Sequence, residues 1–417
     1  METKQEEPTA PFKPIRLNSS AALGVLNEKY YKDLASAKSL GRPVIWITSM
    51  APPEMVYAFD GIPFLPENYA ALCSSRKVAE ELCRAGEARG YSQDLCAYAL
   101  CVFGSIFEKK GPLGEGPPAP DLLLATEGAC VTHPKWWEAL QRHFKCPLVI
   151  IDAAYVVDSP TLEQRYKEYF ASQLEEAAYE MAACLKKKFD VEKLREVVIY
   201  SDQASALWDE IDDMRATVPT PISQIDVFTC LFPLVTLKGT KEAVEFYKQL
   251  RDEVKDRVSK GIGFIPNERF RLIWDLFPIY HNMRLLNYFA EFGATFVTDL
   301  YGNAFSGHLN PADPFGSLAE RYLSFYMRAH AQGKAELYKK RAKKYKVDGI
   351  VFHSNRCCRC YTSEQLDVGA ILREELGMPS MTFEANMVDP RGYDDIQVKA
   401  RIQTFMELLE AKKYPKK

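Results

Sequence analysis

The 417-residue sequence contains no uninterrupted apolar run of the roughly 18 residues that a membrane-spanning helix needs. Its opening stretch, METKQEEPTAPFKP, lacks an apolar segment and is acidic early, unlike a secretory signal. It reads as a short polar tail on a cytoplasmic protein. Charge of one sign is also missing: 53 Lys and Arg against 56 Asp and Glu leave a net charge of −3. No global positive field therefore points to nucleic acid or to an anionic membrane. No G-x-x-x-x-G-K-[ST] loop is present to cradle nucleotide phosphates, and the glycines of KGIGFIP (260–266) make no G-x-G-x-x-G fingerprint. The paired C-x-x-C spacing of a zinc ribbon is absent too.

The length itself suggests two or three domains. SSAALGVLNEKYYKDLASAK (19–38) predicts a helix capped by Ser19 or Ser20, and RPVIWITSM (42–50) a buried strand. PPEMVYAFDGIPFLP reads as a short helix opened by proline and stopped at Gly61, followed by helical sequence over 72–108. GPLGEGPPAP (111–120) is a loop. DLLLATEGA, HPKWWEALQRHF and PLVIIDAAY then give strand, helix, strand, with strands apolar throughout rather than alternating. That pattern predicts a parallel sheet covered on both faces. One long charged helical stretch is expected over 160–215, and the prolines of 218–233 mark a domain boundary. The second half repeats the rhythm: a short strand at 260–266, a helix and strand over 284–299, an irregular loop at 301–316 and helix over 317–345. VDGIVFHS and PSMTFEAN follow as strands, separated by a helix over 362–377, before a terminal helix. The expected fold is α/β, with an N-terminal segment (1–40), a first domain (41–217) and a second (218–417). The basic run KKRAKKYK in the 317–345 span reads as a solvated helix face, because no aromatic platform accompanies it.

Eleven cysteines are too few for a disulfide scaffold of this length. Cys73, Cys83, Cys101, Cys146, Cys184 and Cys230 lie in apolar surroundings and read as small core residues. Trp136 and Trp137 are adjacent on a helix, so one of the two is expected to pack squarely on the sheet. Five other cysteines have a different setting. Cys130 follows a strand of the first half, and Cys357 and Cys358 follow a strand of the second. Ligands of open parallel sheets collect beyond the carboxyl ends of strands, so two facing edges would bring these thiols together. Cys96, in GYSQDLCAYAL, is expected in the first turn of a helix capped by Ser92 or Asp94, where free amide groups favour a thiolate. Zinc, a redox dithiol built on Cys357 and Cys360, and an iron–sulfur cluster all remain open on spacing alone.

The segments EARGYSQDLCAYAL, ATEGACVTHPKWWEAL, YGNAFSG, VDGIVFHSNRCCRCYTSEQLD and GMPSMTFEANMVDPRGYDDIQVKARIQTFMELL resemble the cluster-binding subunits of benzoyl-CoA reductases and 2-hydroxyacyl-CoA dehydratases. The resemblance runs in order over most of residues 40–410. It implies two flavodoxin-like domains with a [4Fe–4S] cluster in the cleft between them. Carried over position by position, it implies Cys96, Cys130 and Cys358 as ligands. Cys357 falls where the family pattern has serine, and Cys360 at a variable position, so this chain sets two extra thiols beside the ligand.

The same resemblance implies delivery of low-potential electrons to an acyl-CoA thioester, a homologous cluster-bearing second subunit and a separate ATP-hydrolysing iron–sulfur activator. His133 and Glu127 are candidates for proton transfer or substrate hydrogen bonding, with Glu384 a further acid at a strand end. His353, Asn355 and Arg356 are candidates for support of the thiolates, and Tyr301, Asn303 and Ser306 for a substrate loop. The matching stretches favour reduction of an aromatic ring in benzoyl-CoA or a similar aromatic acyl-CoA. Dehydration of an (R)-2-hydroxyacyl-CoA is the alternative, and a non-catalytic or double-cubane electron-transfer protein a further one.

Overall fold

A computed structural model describes residues 15–153 and 160–415, so the N-terminal tail read from the sequence lies outside the described residues. The strands are β1 (Val44–Ile47), β2 (Ile62–Phe64), the short hairpin β3 (Lys110–Gly111) and β4 (Gly114–Glu115), β5 (Leu122–Thr126) and β6 (Leu148–Ile151). They continue with β7 (Phe270–Asp275), β8 (Ala294–Asp299), β9 (Gly349–Asn355) and β10 (Ser380–Ala385). Apart from the hairpin they form two four-stranded parallel sheets, in the orders β2-β1-β5-β6 and β10-β9-β7-β8. Helices flank both sheets, giving the flavodoxin-like α/β arrangement. Among the described residues no helix is long and apolar enough to cross a membrane.

The uninterrupted apolar strands are explained by burial on both faces. Trp46, Leu123 and Ala125 join the core shared with the second sheet, while Ile45, Ile47, Leu122 and Leu124 face a second core. That second core is covered by Phe170, Leu174 and Leu194 from two long helices and by Leu318 and Tyr322 from the helix Pro314–Leu323. A helix of the second half therefore covers the first sheet.

Each sheet reverses its winding once. The chain passes from β1 to β2 on one side and then to β5 on the other, and likewise from β7 to β8 and then to β9. Adjacent loops diverge at such a reversal and open a crevice beyond the strand ends. The four loops at the two reversals follow β1, β5, β7 and β9.

Several expectations need correction. The stretch 160–215 is two helices, Pro160–Leu185 and Val191–Met214. Lys186 takes φ 52°, and Asp190 accepts from the Glu192 N–H to cap the second helix. Residues 260–266 are not a strand: Gly261, at φ 65°, follows the end of the helix Lys241–Ser259, and Phe264 N–H is tied to Thr220 O at 2.7 Å. The strand comes later, at β7. Strand β2 lies within a stretch whose prolines and glycine read as a helix and its stop. Ser19 gives its helix no side-chain cap; instead the Glu253 carboxylate accepts from the Asn18 and Ser19 N–H groups at 2.7 and 2.9 Å. The basic run lies on the helix Ala331–Tyr345, where Lys339, Arg341 and Lys344 pair with Glu375, Asp212 and Asp213.

Candidate functional site

The five singled-out cysteines converge at the carboxyl ends of the strands. Cys96 is the N-cap residue of the helix Ala97–Glu108 rather than a member of its first turn. Cys130 lies in the turn between β5 and the helix His133–Phe144. That turn passes so close to the chain after β6 that a Cβ on Gly128 would fall 1.8 Å from Ala153 O, and Gly128 has φ 81°. Only glycine fits there. Arg328, from the second half, donates to Glu127 O at 3.0 Å and Ala153 O at 3.3 Å and so ties the turn to the chain leaving β6. Cys357 and Cys358 end the loop after β9, with the Cys358 N–H on Asn355 O at 2.9 Å, and Cys360 sits in the four-residue helix Arg359–Thr362.

The thiols touch across these loops. Cys357 Sγ accepts from the Ala97 N–H at 3.3 Å and is hydrogen-bonded to Cys96. Cys360 Sγ lies 3.8 Å from Cys358 Sγ and is hydrogen-bonded to Cys130. Cys357 holds Cys96 up and is itself drawn down, and Cys360 is held up while Cys130 falls well below the usual thiol range. The donor set is entirely soft sulfur with an amide N–H aimed into it, which suits an iron–sulfur group or zinc rather than a hard cation. Among the described residues, no group of three or more His, Cys, Asp or Glu is arranged around a single-ion site.

His133 links the thiols to a second feature. It is buried, and its Nε2 lies 2.9 Å from Glu67 Oε1. Burial would lower its pKa, but Cys130 and then Glu67 push it up to about 10. Glu67 Oε1 also accepts from the Ser49 N–H at 3.1 Å, in the loop after β1. Glu67 is 7% exposed, and its Oε2 is buried without a hydrogen-bond partner among the described residues. The residue lines a cavity of about 170 Å³ between the two sheets, together with Tyr98, Tyr280, Tyr301 and Phe228. The three tyrosine hydroxyls form a chain, Tyr98 to Tyr280 at 3.2 Å and Tyr280 to Tyr301 at 3.3 Å. Larger hollows of about 670 and 980 Å³ open mainly toward the amino ends of the strands, away from the thiols.

The other residues singled out from sequence scatter. His353 is fully buried between Phe277 O (2.9 Å) and Ala385 O (3.3 Å), and burial lowers its pKa to about 4. Asn355 is fully buried, with its Oδ1 3.3 Å from Cys357 Sγ. Arg356 is 70% exposed and faces Glu384, which is itself 61% exposed, at 3.8 Å. Glu127 is half-buried, and its backbone carbonyl makes the contact to Arg328. Of the loop after β8, Tyr301 lines the cavity, but Asn303 turns to Asp212 at 2.6 Å and Ser306 to Asn303 O at 3.3 Å. Trp136 and Trp137 are both buried, which agrees with the expectation of core packing for at least one of them. Sequence reasoning misses Glu67, Ser49 and Tyr280. The Leu-Pro-Glu at 65–67 carries a usable signal, a proline opening a helix directly after a strand, once β2 is recognised.

The family described as 2-hydroxyglutaryl-CoA dehydratase, D-component, matches residues 48–409. The chain is 31% identical to the alpha subunit of (R)-2-hydroxyisocaproyl-CoA dehydratase of Clostridioides difficile over 389 residues, covering 92% of this chain and 94% of that one. It is 26% identical to the alpha subunit of lactoyl-CoA dehydratase of Anaerotignum propionicum over 411 residues, with 95% and 97% covered. It is 28% identical to a benzoyl-CoA reductase subunit of Thauera aromatica over 407 residues, with 92% of each covered. Most of these relatives are dehydratases, and none of the similarities singles out the reductase branch. The lean toward ring reduction read from the sequence gains no support from these similarities, which fit the alternative, a dehydratase, better.

Proposed function

Because the chain belongs to the 2-hydroxyglutaryl-CoA dehydratase D-component family, we propose that it is the alpha-type subunit of a cytoplasmic (R)-2-hydroxyacyl-CoA dehydratase. Cys96, Cys130 and Cys358, with Cys357 and Cys360 beside them, are the residues that would hold a [4Fe–4S] cluster. When bound, such a group supplies one-electron chemistry at low potential. Two α/β halves, 41–217 and 218–417, contribute ligands from facing edges.

The observation that carries the dehydratase reading is Glu67. A 2-hydroxyacyl substrate brings a hydroxyl that needs an acceptor in a water-poor site, and Glu67 Oε2 is a buried, unpartnered acceptor at the cavity. Its other oxygen is fixed by the Ser49 N–H and His133, so the carboxylate is oriented before substrate arrives. His133 lies between Glu67 and Cys130 and contacts both. The apolar walls exclude water and strengthen each of these contacts.

A second reading, reduction of an aromatic acyl-CoA, is favoured by the tyrosine chain, whose hydroxyls could donate protons beside a flat ring. The distinguishing experiment combines the full-length chain with a homologous second subunit, an ATP-hydrolysing iron–sulfur activator and a strong reductant. A (R)-2-hydroxyacyl-CoA is expected to become the 2-enoyl-CoA, with ATP needed only to start. Conversion of benzoyl-CoA to a cyclic dienoyl-CoA, with ATP consumed throughout and the hydroxyacyl ester untouched, overturns the dehydratase reading in favour of the second.

A further inference from the structure

The cavity beside Glu67 carries more than a place for a hydroxyl. Its apolar wall comes from Leu65 and Leu72 on one side and from Phe228, Phe232, Met283 and Phe305 on the other. Among the described residues that line it none is Lys, Arg or His, and the one carboxylate is Glu67. Its volume of about 170 Å³ is close to that of an apolar cavity of about 150 Å³ known to admit benzene. A thioester arm with its nucleotide is far larger, so a space of this volume can take only the acyl end of such a molecule.

We propose that this cavity is the acyl pocket and that it selects an uncharged, branched or aromatic acyl group of about five to nine carbons, rejecting acyl groups that end in a second carboxylate. The inference rests on the acyl-CoA reading above and adds the substrate class to it. Charge decides the rejection. A distal carboxylate would lose its water beside a described lining that offers it no cation, because His133 is already engaged by Glu67, and it would share the space with Glu67. Size decides the lower limit. A three-carbon acyl group leaves most of the apolar wall uncovered and gives up about tenfold or more in binding for the apolar contact it does not make. The wall is partly aromatic: Tyr301 packs edge-on against Phe228 at 6.1 Å and Phe305 at 5.4 Å, and all three line the cavity, a setting suited to a phenyl or branched alkyl group.

The test is equilibrium binding to the full-length chain, prepared without oxygen, of four thioesters that differ only in the acyl end: 2-hydroxyisocaproyl-, phenyllactyl-, lactoyl- and 2-hydroxyglutaryl-CoA. The first two should bind within about tenfold of each other. Lactoyl-CoA should bind at least about tenfold more weakly. The glutaryl ester should bind about 100-fold more weakly, which is about 2.8 kcal/mol. Leu72→Arg adds a cation to a half-buried wall position and should close most of the glutaryl gap. Equal binding of the glutaryl or lactoyl ester to the wild-type chain overturns the inference and leaves the acyl-CoA reading intact. So does a Leu72→Arg chain that still binds the branched ester with the gap unchanged, because the acyl end then lies elsewhere. Failure of all four esters to bind removes the acyl-CoA reading itself.

Discussion

Replacing Glu67 by glutamine tests the site with little disturbance to the fold. Glu67 Oε1 accepts from the Ser49 N–H at 3.1 Å and lies 2.9 Å from His133 Nε2. A glutamine carbonyl can take both contacts, with its NH₂ in the place of Oε2. What is lost is the charge assistance of the two bonds, a change of about 1 kcal/mol each, so stability should fall by about 2 kcal/mol. The catalytic loss should be larger. The group facing the cavity changes from acceptor to donor, and removal of a positioned acid–base group costs about 10²–10⁴-fold in rate. At 1.36 kcal/mol per tenfold that is about 3–5 kcal/mol of barrier. The assay is steady-state turnover of a 2-hydroxyacyl-CoA by the activated complex, with urea unfolding of the same preparation. The expected result is a kcat loss of about 10²-fold or more with KM within about tenfold. A folded Glu67→Gln chain that turns over within about threefold of wild type would refute the reasoning, because Glu67 would then only support His133.

Two perturbations away from the cavity probe the frame. Gly104→Ala would put a Cβ 1.7 Å from Leu82 O, so the helices Ala79–Ala88 and Ala97–Glu108 must separate. A cost of about 1–3 kcal/mol or more follows from overpacking, and the Cys96 end of the second helix should shift. An unchanged melting temperature contradicts this. Asp212 is pushed up by burial, but Arg341, Arg215 and its hydrogen bonds to Tyr345 and Asn303 hold it at about 2, against an ordinary 3.8. Its depressed folded pKa adds about 2–3 kcal/mol of stability that is present above about pH 4 and lost as the pH falls toward 2. Urea midpoints measured across that range should drop steeply for wild type and less for Asp212→Asn. Parallel acid limbs would show that the network contributes nothing.

The sequence made most strands legible because β1, β5, β8 and β9 are short runs buried on both faces. It also placed Cys96, Cys130 and Cys358 at strand or helix ends, which is where they stand. The thiol pairing was not legible, since Cys357 meets Cys96 and Cys360 meets Cys130 across separations that no local spacing encodes. Glu67 was missed for a related reason. Its setting comes from Ser49, in the loop after β1, and His133, at the start of the helix His133–Phe144, while its own segment looks like an ordinary helix start. Arg356 shows the converse error: adjacency to Cys357 in sequence suggested support of the thiolates, yet the side chain extends 70% exposed toward Glu384. Asn303 and Ser306 lie together on the loop after β8, but Asn303 turns to the buried Asp212 carboxylate of the helix Val191–Met214 and Ser306 to the Asn303 carbonyl.

The most direct test of the central claim is the iron and acid-labile sulfide content of the full-length chain purified without exposure to oxygen, compared with single serine variants of the five cysteines. The account predicts about four irons and four sulfides per chain, as a [4Fe–4S] group requires. It further predicts their loss in Cys96→Ser, Cys130→Ser and Cys358→Ser and their retention in Cys357→Ser and Cys360→Ser. Stoichiometric zinc without labile sulfide in the wild-type chain would contradict it.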